Sequence, residues 1–130
     1  MGADSGPAPR PGSAIAGRAD EWHVLRMQNA APFKLAELAQ DLTGAWGRAV
    51  LGEVGGVRLK LFRTEGEGLP PEVHEAWAEA LLMIEGELTL VLDGEDIRLT
   101  AGDLQLIPAG CVHAIRPGAK AALLLFDPEP

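Results

Sequence analysis

The sequence predicts an all-β protein, an antiparallel sandwich or barrel with one short helix near its N-terminal side. Three observations predict it. From Trp46 onward, apolar residues recur with period two, as they do along half-buried strands. Turn-forming residues interrupt that pattern at short intervals: Gly55-Gly56, Gly66 to Pro71, Asp93-Gly94, Ala101-Gly102, Pro108 to Gly110 and Pro117-Gly118. The 130 residues are 47% apolar, enough for the single core of an ordinary domain.

The elements follow in order. Residues 1–21 are dominated by Gly, Pro, Ala and Ser without helix or strand period, so they are expected to be a disordered tail, with the barrel domain over 22–130. Trp22-His23 opens a strand-like stretch, WHVLRM, in which His23 reads as a structural residue. The segment PFKLAELAQDL then brings Phe33, Leu35, Leu38 and Leu42 round at spacings near 3.6, with Pro32 in a first-turn position and Gly44 as a stop. This predicts a short amphipathic helix packed on something larger. Val57, Leu59 and Leu61 alternate with Arg58, Lys60 and Phe62. Leu88, Leu90 and Leu92 do the same before Asp93-Gly94, and Ile97 and Leu99 resume after it, which predicts a hairpin with a two-residue turn. Further strands are expected over 79–85, 103–108, 111–116 and 120–126.

Composition excludes several classes of function. Nineteen acidic residues face eleven basic ones, a net charge of −8; this argues against nucleic acid, whose phosphates need a basic surface. One cysteine excludes a disulfide framework and a four-thiolate zinc site. The longest apolar run is AALLLF at 121–126, too short for a membrane helix. No apolar stretch of signal-peptide length opens the chain, so a cytoplasmic, bacterial-type protein is expected. The only serines, Ser5 and Ser13, lie in the tail and leave no serine triad. Gly52-x-x-Gly55-Gly56 is followed by no Lys-Ser/Thr, so it reads as a turn and not as a phosphate loop.

The chemistry gathers around two histidines. His74 and His113 lie beside turn signals in the strand-rich half. The window 65–87 holds seven glutamates and no lysine or arginine. Such carboxylates repel one another unless they are solvated or neutralised by a cation, and carboxylate with imidazole suits Mn, Fe(II), Zn or Ni.

The spacing in this region is specific. Gly66-(x5)-Glu72-x-His74-(x4)-Glu79-(x6)-Gly86 resembles the first motif of the cupin family, G-x5-H-x-H-x3–4-E-x6-G. Gly102-(x5)-Pro108-x-Gly110-x2-His113 resembles the second motif up to its histidine; the asparagine usual after it is replaced by Pro117. The resemblance covers roughly 46–127 and is to the small single-domain bacterial cupins. It implies a double-stranded β-helix, or jelly-roll barrel, with a divalent metal near its mouth. His74, Glu79 and His113 correspond to family ligands, and Glu72 stands where the first histidine would be. Three outcomes are open: a two-His, two-Glu site; a His74, Glu79, His113 set with Glu72 turned away; or a barrel that has lost its metal. Alternation is compatible with convergence. Glu72 and His74 share one face of an extended segment, as do Glu79, Leu81 and Met83, and Cys111, His113 and Ile115.

Three further residues are candidates for a substrate pocket. Arg63 continues the Val57, Leu59, Leu61 face toward the first motif and would carry a positive charge to the mouth. Trp77 lies between His74 and Glu79, positioned to stack on a ligand. Cys111 shares the strand face of His113 and reads either as a core residue or as a group behind the metal. The expected function is that of a metal-dependent enzyme acting on a small polar molecule, with Glu79 also able to move a proton. By resemblance it would be a dioxygenase or an isomerase or epimerase, and a homodimer. The competing readings are a non-catalytic binding module and a metal-free barrel serving ligand sensing or dimerisation.

Overall fold

The computed structural model describes residues 31–130; the tail over 1–21 and the stretch 22–27 lie outside the described residues. One helix, α1 (Leu35–Gln40), precedes eight strands: β1 (Trp46–Val54), β2 (Val57–Glu65), β3 (Leu69–Glu72), β4 (Glu79–Leu92), β5 (Glu95–Thr100), β6 (Leu104–Ile107), β7 (His113–Ile115) and β8 (Lys120–Asp127). All pairings are antiparallel. The strand order is β1-β2-β8-β4-β7-β3, with β5 and β6 both paired to β4. This is the jelly-roll barrel.

Strand β4 is the shared wall. Its first half lies between β6 and β8, its second half between β5 and β7. The sequence reads this segment as two strands, whereas the structure has one of 14 residues with a bulge between Met83 and Glu85. The bulge has a packing reason. Side chains alternate sides along a strand, so Glu79, Leu81 and Met83 point inward together, and without an extra residue Leu88 and Leu90 would point out. With the shift all five are buried. Gly86 makes the bend, with φ of 80°. A Cβ there would lie 2.0 Å from the Lys120 carbonyl oxygen.

The barrel wall separates two cores. Inside lie Trp46, Leu81, Met83, Leu88, Leu90 and Leu123, among others, with Phe62 packed against them. Outside, Leu61, Ala122 and Leu124 pack under Ala39 and Leu42 from the helical segment. The AALLLF run thus serves both cores, as alternate residues face opposite ways.

Two elements differ from expectation. The helix is shorter than PFKLAELAQDL, because Lys34 is extended (φ −91°, ψ 90°) and Pro32 and Phe33 precede the first turn. Strand β3 falls where turn punctuation was expected. Its Pro70 and Pro71 lack ladder donors, which confines them to an edge, and β3 ends the strand order. The Asp93-Gly94 hairpin is present, with φ of 49° and 85°.

Gly86→Ala is expected to cost about 3 kcal/mol, combining a left-handed backbone with a steric clash, and to lower the melting temperature by roughly 10 °C. Gly52→Ala, whose Cβ would meet nothing within 4 Å, should stay within about 0.5 kcal/mol of the parent. Thermal unfolding of the two variants checks both.

Candidate metal centre

Four residues converge at the end of the barrel where β3, β4 and β7 begin or end. Glu72 closes β3 and His113 opens β7, and the two are cross-strand partners. His74 follows in the loop, where its carbonyl accepts from the Gly110 N–H at 2.9 Å, tying that loop to the turn before His113. Asp93 braces the same turn from the hairpin tip: its N–H donates to the Val112 carbonyl at 2.8 Å, and its carboxylate accepts from the Val112 N–H at 2.9 Å. Glu79 is the first residue of β4 and points inward.

The distances suit a cation. His74 Nε2 lies 3.2 Å from Glu72 Oε1 and 3.6 Å from Glu79 Oε2. His113 Nε2 lies 3.4 Å from Glu72 Oε1 and 3.8 Å from Glu79 Oε1. Metal–ligand bonds of about 2.0–2.2 Å put neighbouring ligand atoms roughly 3.0–3.5 Å apart. Glu72, His74 and His113 each offer a ligand atom within 4.8 Å of the other two. Glu79 divides its two oxygens between the histidines. The Cys111 carbonyl lies 3.2 Å from His113 Nδ1 and can only accept, so that nitrogen donates and Nε2 is the one turned to the site. Imidazole nitrogens and carboxylate oxygens face one another there, a donor set that suits a divalent cation.

Behind Glu79 lies a buried group that alternation leaves unread. Lys60 and Asp127 are 5% and 2% exposed, and Lys60 Nζ donates to Asp127 Oδ2 at 2.5 Å. The register of β4 on β8 sets Asp127 beside Glu79. Burial, then the Asp127 charge, pushes the Glu79 carboxyl above its ordinary 4.5. For Asp127, burial acts upward, but hydrogen bonds from Lys60 and the Glu129 N–H outweigh it and hold the carboxyl below 3.8. The available sequence signal was Lys60 itself, alternating in phase with Phe62 on β2.

Glu72, Glu79 and His113 line a cavity of about 90 Å³ whose remaining lining side chains are apolar. The other candidates lie elsewhere. Arg63 shares the outer face of β2 with Leu61, because Phe62 is the residue that faces the barrel. Its guanidinium meets Glu65 and donates to the Leu42 carbonyl at 3.3 Å. Trp77 stacks on His74, with ring centroids 4.8 Å apart. Cys111 is half-buried; its thiol is pushed above 9.0, mainly by a hydrogen bond with Asp93, while its carbonyl serves His113. None of these three lines the cavity. Of the seven glutamates in the window, only Glu72 and Glu79 reach the site. Glu65 and Glu87 meet Arg63 and Arg98 from outside the window, so much of that acidity is paired or solvated.

Comparison with known proteins agrees with this architecture. A cupin domain model matches residues 63–126. A cupin-2 domain protein from Shewanella frigidimarina NCIMB 400 superposes with a TM-score of 0.68 at 22% identity, covering 75% of this chain and 94% of its own. A cupin superfamily protein from Desulfitobacterium hafniense DCB-2 gives 0.66 at 24% identity, covering 78% and 93%. Quercetin 2,3-dioxygenase of Bacillus subtilis (strain 168) is 42% identical over 52 residues, which is 40% of this chain and 15% of that enzyme.

Two outcomes follow from the buried charges. Glu79 favours the folded state where it is protonated. In metal-free protein that contribution is complete below 4.5 and is lost as pH rises through the raised value. Glu79→Gln should therefore be more stable than the parent by about 1 kcal/mol near pH 8, with the gap closing toward acid pH in denaturant titrations. Lys60→Met strands Asp127 beside Glu79 and should cost about 4 kcal/mol at neutral pH, read in the same titrations.

Proposed function

The chain is a member of the cupin superfamily, carrying its domain over residues 63–126, and we propose that it holds a divalent metal between Glu72, His74, Glu79 and His113 and acts on a small molecule there. The observation that carries this reading is the convergence of two imidazole nitrogens and two carboxylates within 3.2–3.8 Å at the wall of a cavity. Glu72 replaces a family histidine yet points into the group, which supports a two-His, two-Glu set. That set favours Mn, Fe(II), Ni or Zn over softer ions.

A bound divalent ion would supply Lewis acidity to a ligand oxygen. The chain's own residues do the rest. His113 is oriented by the Cys111 carbonyl, and His74 by its stack on Trp77. Glu79, buried at the start of β4 with one oxygen toward each histidine, faces the barrel interior, where a carboxylate can orient a ligand or take a proton from it. Glu72, its side chain 54% exposed, stands at the solvent side. The likeness to a quercetin dioxygenase supports oxidoreductase chemistry, though the match spans only 15% of that enzyme.

The protein is further proposed to be cytoplasmic and a two-fold homodimer, the latter checked by sedimentation of the full chain. Among the described residues, no helix is long and apolar enough to cross a membrane.

Protein purified without a metal-affinity column should take up one divalent ion per chain. Metal at 100 times its Kd should add about 2.7 kcal/mol of stability, a rise of roughly 10 °C in melting temperature. His113→Ala and Glu79→Ala should each abolish most of that rise. No uptake of Mn, Fe(II), Ni or Zn, and no shift in melting temperature, would favour the metal-free reading. Uptake without turnover of any ligand that binds would favour the binding module.

A further inference from the structure

The composition of the cavity wall bears on what the site can hold. Trp46 and Phe62 meet edge to face, with centroids 6.0 Å apart, and form part of the lining with Leu81, Leu90, Leu123 and Leu125. Among the described residues, those that line it with an ionisable side chain are Glu72, Glu79 and His113, three of the four members of the candidate metal group. Among the described residues the wall carries no Ser, Thr, Asn, Gln, Lys or Arg. A hydroxyl-bearing ligand placed here would bury each hydroxyl against hydrocarbon, and an unpaired buried hydroxyl is costly. A phosphate would find no lysine or arginine among the described residues of the wall. The nearest buried lysine, Lys60, is engaged with Asp127 and lies outside the lining.

Size narrows the class further. The cavity is small, about 90 Å³, so the body it takes is compact.

We infer that the ligand of this site is a small molecule with a single oxygen-donor head, set against Glu72, Glu79 and His113, and a compact apolar body inside the barrel. Sugars and sugar phosphates fit this wall poorly. This deepens the metal-site reading and rests on it for the head group only, since the preference for an apolar body comes from the wall. It also narrows the polar substrate expected from sequence to one polar end. Of the reaction types the sequence suggested, it disfavours sugar isomerisation and epimerisation.

The test titrates the full chain with matched probes and follows backbone amide shifts by NMR. In Zn(II)-loaded protein the pair is butyrate against 3,4-dihydroxybutyrate. In metal-free protein, where a carboxylate head would be repelled, it is 1-butanol against 1,2,4-butanetriol. The apolar probe should bind about tenfold tighter or more in each pair, with the largest shifts at Leu81, Leu90 and Leu123. Leu123→Phe, or Leu125→Phe should the first not fold, should remove the preference by filling the cavity. Equal or tighter binding of the hydroxylated probes overturns the inference, as does no saturable binding by either pair. Failure to bind Zn(II) would count against the proposed function, while the butanol pair still decides this inference.

Discussion

The bulge in β4 is the constraint on which the rest of the molecule depends. One strand of 14 residues serves both halves of the barrel, and its inward positions change parity midway. Before the bulge the odd-numbered residues Glu79, Leu81 and Met83 face the interior; after it the even-numbered Leu88 and Leu90 do. Gly86 permits the change because its backbone is left-handed and passes too close to β8 for any side chain. A straight strand would leave either the Glu72, His74 and His113 cluster without Glu79 or the core without its leucines.

The same geometry explains why charge sits inside an apolar barrel. Once Glu79 points inward, its neighbour on β8 is Asp127, whose charge is answered by Lys60. Glu79 itself has Asp127 on one side and meets two imidazoles on the other. Folding the apo chain around Glu79 therefore carries an electrostatic cost that a cation can relieve. Stability given up at one residue in this way is characteristic of functional sites.

The cavity and the ligand group are complementary in character. The ionisable side chains are gathered at Glu72, Glu79 and His113 and the rest of the described wall is hydrocarbon, so polar and apolar contacts are offered by different residues. The turn before His113, held by Asp93, and the loop carrying His74, held by Gly110, fix the ligand group to the ends of rigid strands, which is where precise sites are best built.

Much of this was legible in the chain alone, because alternation and motif spacing are local properties. Period two along β2 and β4, the Asp93-Gly94 turn, and the two spaced motifs suffice for the barrel and for the candidates Glu72, His74, Glu79 and His113. Three features were decided only by tertiary structure. Which face of β2 is interior depends on the helix covering Leu61 from outside, so Arg63 lies outside and Lys60 inside. That β3 is a strand depends on the edge position that tolerates Pro70 and Pro71. The Lys60, Asp127, Glu79 group joins three strands, and the cavity wall draws on most of the barrel. A sequence states which way neighbouring side chains alternate; only the packing of distant strands states which side is in.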